Sequence, residues 1–125
     1  WIGNMRSVSA DAQPLGRMTD GEVVIHSSDR RIKTDFEDIT SALDMVKNLK
    51  GIYYSPKPGF GDSTKRYIGF VAQDVEKVVP ELAYTNPQSE MMGVRYSDTV
   101  ALLTEAIKEM ATEIDRLKLI IEDKN

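Results

Sequence analysis

The chain has 125 residues, 20 of them acidic and 16 basic, for a formal charge of −4. It has no cysteine and a single histidine, which excludes disulfides, thiolate zinc sites, a cysteine nucleophile and any multi-histidine metal centre. Mild acidity gives no basis for nucleic-acid binding, and no run of about 18 apolar residues is present to cross a membrane.

An apolar content of 41% suits one small domain with appendages. The start, Trp1-Ile2-Gly3-Asn4, carries neither a signal-peptide pattern nor an initiator Met, so it reads as cut from a longer chain. Within residues 1–27, Asp20-Gly21 suits a type I′ turn, with Glu22 to His26 as the strand that follows. That stretch cannot bury a core and is expected to end an upstream β-rich region. Residues 27–35 are polar and turn-like, and Thr34 or Asp35 can cap a helix. Phe36, Ile39, Leu43, Val46 and Leu49 then recur on one helical face, predicting a helix that ends near Lys50, with Gly51 as its C′ residue.

Ile52 to Tyr54 predicts a strand and 56–64 a loop with Phe60 at its tip. Arg66 to Ala72 returns as a strand, and Gln73 to Val79 is a short helix stopped by Pro80. Brief strands follow at 82–84 and 91–96, around a turn at Asn86-Pro87-Gln88-Ser89. The fold class is therefore α+β, with a small compact part at 34–97 and a long helix at 98–124.

That last helix has the clearest period. Val100, Leu103, Ile107, Met110, Ile114, Leu117 and Ile121 alternate at spacings of 3 and 4, an unbroken heptad seam. Ser97 or Asp98 can cap its start. Glu105, Glu109 and Glu113 repel one another at i,i+4, so intrahelical pairing does not explain the helix. It spans roughly 40 Å, too long to pack wholly on so small a domain. Self-association as a coiled coil follows. β-branched residues at a with Leu at d lean towards two strands, so the seam supports association without fixing the number.

Little chemistry is on offer. The acidic stretches Asp35/Glu37/Asp38 and Glu122/Asp123 lack the loop of a metal site, so no metal and no cofactor is expected. Gly59-Phe60-Gly61 lacks the helix start of a phosphate loop. Ser28 and Lys33 remain. A Ser hydroxyl needs a base, and a neutral Lys amine serves once burial or nearby cations, here Arg30 and Arg31, lower its pKa. A spacing of five is awkward: on a strand it is about 16 Å and opposite faces, and on a helix about 140°. Either a turn at Asp29–Ile32 folds one residue onto the other, or Ser28 meets Lys33 of a neighbouring copy. From the residues alone, Ser28 to Lys33 also reads as a solvated loop with a capping Asp29.

The order of motifs adds to this. Ser28-Asp29-Arg30-Arg31-Ile32-Lys33 precedes Gly51-Ile52-Tyr53-Tyr54, then Tyr67-Ile68-Gly69-Phe70-Val71-Ala72-Gln73-Asp74-Val75-Glu76, then Val94-Arg95-Tyr96-Ser97 and the helix Leu102 to Glu109. This order resembles the C-terminal intramolecular chaperone domain of bacteriophage tailspikes and tail fibres, shared with the myelin regulatory factor family. The resemblance covers about residues 27–118. It implies a homotrimer whose helices form a trimeric coiled coil at the end of a fibre. Such a domain guides the upstream stalk into register and then releases itself as a self-cleaving serine endopeptidase. It implies Ser28 as nucleophile, Lys33 as general base, and a cut between Ser27 and Ser28. Residues 1–27 would stay on the fibre in the virion tail. Residues 28–125 would be released, in the host-cell cytoplasm during phage assembly. The 56–64 loop and the 85–92 segment are candidates for arms that grip the stalk. Two other readings stand beside this one. The first is an assembly module that never cleaves. The second is a coiled-coil module for an unrelated partner.

Overall fold

Two antiparallel strands, β1 (Leu15–Arg17) and β2 (Val23–Ile25), come first, with Leu15 opposite Ile25 and Arg17 opposite Val23. The computed structural model describes the backbone of these strands and residues 27–124. The Asp20-Gly21 turn and His26 lie outside the described residues. The chain falls into two compact units, residues 1–37 and 38–125.

The first unit continues into a single 3₁₀ turn, Arg30–Ile32. No residue from 28 to 37 is buried. The helix expected from Phe36 does not begin there. Asp35 and Ser41 both have φ of +55°, the left-handed region, which a right-handed helix cannot pass through. Phe36 and Ile39 are accordingly exposed, their helical spacing unused.

In the second unit, α1 (Ala42–Asn48) is a seven-residue helix. It buries Ala42 completely and packs Leu43, Met45, Val46 and Leu49 against the core. It ends three residues before Gly51, which keeps an ordinary φ and is not the C′ residue. Strands β3 (Ile52–Tyr54) and β4 (Tyr67–Gly69) pair antiparallel, with Tyr53 opposite Ile68. Helix α2 (Ala72–Val78) stops just ahead of Pro80, whose ring and missing N–H cannot continue it. A 3₁₀ turn (Pro80–Leu82) leads into β5 (Ala83–Thr85), which pairs with β6 (Met92–Val94). Asn86 closes the connection: its Oδ1 accepts from Gln88 N at 2.8 Å and from Ser89 N at 3.2 Å.

A 3₁₀ turn at Tyr96–Asp98 then runs into α3 (Thr99–Asp123), a 25-residue helix. Asp98 makes no side-chain cap there, since the 3₁₀ turn already supplies backbone partners. Among the described residues this is the longest helix, and none is long and apolar enough to cross a membrane.

The core of this unit is small: Ala42, Val75, Val79, Leu82, Val94, Leu102 and Ala106. α3 contributes Thr99, Leu102 and Ala106 to it, one face of its first two turns. Every described residue from 110 onwards is exposed. The architecture is thus α+β, short strands and helices followed by one long helix.

Candidate functional site

The 28–33 stretch is shaped by Asp29. As N-cap of the 3₁₀ turn, its Oδ1 accepts from Arg31 N at 2.8 Å and from Arg31 Nε at 3.0 Å. Its Oδ2 accepts from Arg31 Nη2 at 3.0 Å, which completes a two-pronged guanidinium–carboxylate pair. The backbone closes behind it, Ile32 N to Asp29 O at 3.1 Å and Lys33 N to Arg30 O at 3.2 Å. This one turn reverses the chain enough for Lys33 Nζ to donate to Ser28 Oγ at 2.5 Å. Ser28 and Lys33 therefore touch within one chain, although neither a strand nor an α-helix would allow it.

Charge around the pair is arranged by the same residues. The Arg31 side chain, then its backbone N–H, hold the Asp29 carboxyl below the usual carboxylate range. Asp29 in turn raises the Arg31 guanidinium. Arg30 lies with its guanidinium over the Phe36 ring, 5.3 Å from the centroid. Each arginine near the pair thus has a partner of its own. Ser28 and Lys33 are exposed, and Ser27 is half-buried.

The contact has two polarities. An ammonium donates to Oγ, whereas a neutral amine accepts from it. Only the second can draw the proton off the hydroxyl. Among the described residues no three acidic or histidine side chains come together as a metal site.

The seam residues of α3 lie where the heptad pattern puts them, on a face turned away from the core. Val100 and Ile107 are each 64% exposed, Ile114 is 49% exposed, and Leu103, Met110, Leu117 and Ile121 are exposed as well. The helix thus has two faces: Leu102 and Ala106 bury inward while the seam stays uncovered.

The glutamate series finds separate partners. Glu105 accepts from Lys108 at 3.0 Å and Glu113 from Arg116 at 2.6 Å. Glu109 turns inward instead. Its Oε2 accepts from Ala42 N at 2.7 Å and its Oε1 from Leu43 N at 3.4 Å. It serves as the cap that Ser41, left-handed and with no side-chain bond, does not provide. Sequence reasoning missed this role. The one signal was arithmetic: three glutamates in a row of i,i+4 steps, with only Lys108 and Arg116 within reach as partners.

The motifs of the middle segment also meet. Tyr96 Oη accepts from Phe70 N at 3.0 Å, and the two rings stack at 5.9 Å. A Cβ on Gly69 would stand 2.7 Å from that hydroxyl, so a side chain there would force the Tyr96 ring aside. Ile68-Gly69-Phe70 and Arg95-Tyr96-Ser97 are therefore two halves of one contact.

Residues 28–84 match the family described as chaperone of endosialidase. The long tail fiber protein Gp37 of Enterobacteria phage K3 is 32% identical over 95 residues, 73% of this chain and 8% of that protein. The Gp37 of Salmonella phage S16 is 34% identical over 98 residues, 74% of this chain and 13% of that protein. For Enterobacteria phage M1 the figures are 36% over 97 residues, 73% and 38%. The chain thus spans less than a tenth of the K3 relative and well under half of the M1 relative. Residues 28–84, a little under half of the chain, are thus similar to the chaperone of endosialidase family.

Proposed function

We propose that this chain is the intramolecular chaperone segment of a phage tail fibre, and that it frees itself by cutting between Ser27 and Ser28. The observation that carries the chemistry is the Ser28–Lys33 contact, held by the Asp29 turn at the first residue of the family match. The relatives, all long tail fibre proteins, support the fibre context.

The reaction balances within one chain. Lys33 Nζ, as the neutral amine, takes the proton from Ser28 Oγ. Oγ bonds to the carbonyl carbon of Ser27, and the Ser27–Ser28 C–N bond breaks. The departing nitrogen receives the proton back from Nζ and becomes the α-amino group of Ser28. The resulting ester, Ser27 acyl on Ser28 Oγ, is then hydrolysed by water to a Ser27 carboxylate and a free hydroxyl.

Assembly enters through burial. In the single chain both members of the pair are exposed. A neutral amine is favoured by removal from water, so packing of further copies around the pair supplies what the turn lacks. The uncovered α3 seam is the surface on which three copies would join. Cleavage would then follow correct assembly of the upstream stalk, and loss of the chaperone would make that assembly hard to reverse, a kinetic rather than a thermodynamic gain.

Intact-mass spectrometry of the chain with its native upstream stalk tests this. A fragment beginning at Ser28, absent from Ser28→Ala and Lys33→Ala versions, is the expected result. A wild-type chain that assembles yet stays whole would overturn the protease and leave an assembly module that never cleaves.

A further inference from the structure

Lys33 stands midway between Arg30 and Phe36, three residues from each. Ahead of it the chain is well tied: Asp29 bonds to Arg31, and Lys33 N bonds back to Arg30 O at 3.2 Å. Behind it the chain is not. Among the described residues, no hydrogen bond or ion pair involves residues 34–40. The tie on that side is a ring. Asp35 is left-handed, with φ of +55°, and the next residue comes back to the turn. There the Phe36 ring lies under the Arg30 guanidinium, 5.3 Å from its centroid.

The two arginines of the turn are used differently. Arg31 is paired with the Asp29 carboxylate. Among the described residues no carboxylate pairs with Arg30, whose charge is left for the face of the ring. The Arg30–Phe36 contact closes a loop of seven residues with Lys33 at its middle. Neither Asp35 nor Phe36 serves the core: both are exposed, and α1 begins only at Ala42.

We infer that Phe36 is a positioning residue for the cleavage proposed above, holding Arg30 so that the backbone on both sides of Lys33 is fixed while its amine rests on Ser28 Oγ. The inference rests on that reading of the Ser28–Lys33 pair. Lys33 is exposed and its stem is flexible, so keeping the amine on one atom costs side-chain freedom. A loop closed behind it leaves fewer conformers to lose, and the contact with Ser28 is populated more of the time.

The test follows single-turnover cleavage of the chain with its native upstream stalk by intact mass. Phe36→Leu keeps an apolar side chain without a ring and is expected to cut about two- to fivefold more slowly, the effect of losing an exposed cation–π contact. Phe36→Trp, which offers a cation the best ring, is expected to keep the wild-type rate. Arg30→Met is expected to match Phe36→Leu, with the double variant no slower than either single one. Thermal midpoints are expected to stay unchanged, since neither residue belongs to the core. A Phe36→Leu chain that cuts at the wild-type rate would overturn the inference and leave the cleavage standing. So would a Phe36→Trp chain as slow as Phe36→Leu, or single effects that multiply in the double variant. A wild type that stays whole would overturn both.

Discussion

The Ser28–Lys33 turn and the seam of α3 are both exposed, yet they are held in opposite ways. The turn contains no buried side chain and is built from bonds between residues two to five apart. The seam is an apolar stripe left exposed among the described residues, on a helix anchored by Thr99, Leu102, Ala106 and the bonds from Glu109 to α1. The first is complete in one chain. The second would be completed by other copies under the assembly proposed above. In the proposed reaction the pairing of Ser28 with Lys33 would therefore not be the step that reports assembly, since it forms in the single chain. What assembly can change is the water around the pair.

Placing a charge in the seam separates the two regions most sharply. Ile114→Asp leaves the single chain intact, because that side chain is already half exposed. In an assembled seam it would bury an unpaired carboxylate, and association is expected to weaken by at least about a hundredfold. Sedimentation gives the assembly and intact mass the cleavage, and both are expected to fall together. Undiminished cleavage in the monomer would break the comparison, because the turn would then act without the seam.

A smaller effect lies at the root of α3. Glu109→Ala leaves the first N–H groups of α1 without acceptors in a partly buried place. The expected loss is about 1–3 kcal/mol of stability, read as a lower midpoint in thermal unfolding, with Glu109→Gln retaining part of it. An unchanged midpoint would mean that water caps α1 equally well.

The smallest effect is local. Asp29→Ala removes the cap and the guanidinium pair, and cleavage is expected to slow roughly two- to tenfold while assembly is unchanged. Acid acts in the same direction. A carboxylate with a depressed folded pKa lends stability that is present above its unfolded value, near 3.8, and is lost as pH falls through the lower folded value. The turn is thus expected to hold from neutral pH to about 4 and to loosen below it, followed by NMR of the Asp29 carboxyl carbon. A midpoint at the ordinary value would mean that Arg31 does not hold the carboxylate in solution.

The sequence made some of this readable and hid the rest for physical reasons. Strands at Ile52–Tyr54 and Tyr67–Gly69, the stop at Pro80 and the long helix follow from local propensity and period. The seam was legible because seven positions repeat the same signal. Phe36 and Ile39 misled, because the left-handed residues Asp35 and Ser41 break a helix that spacing alone would continue. Ser28 and Lys33 could be named as a possible pair, but their meeting depended on whether Asp29 capped a turn. The Glu109 cap and the Tyr96–Gly69 approach were out of reach. Each joins residues far apart in the chain, and the run of glutamates showed only that Glu109 lacked a local partner, not where it would go.

The outer half of α3 has a consequence of its own. From residue 111 to 123 the helix has only its own hydrogen bonds and the Glu113–Arg116 pair to hold it. A helix of that length is marginal in water by itself. Its amide protons are therefore expected to exchange quickly in dilute solution and to slow as concentration rises. Under the proposed assembly, coil and helix at this end would gauge how many copies are nearby, so the chain's shape would carry information about its own abundance.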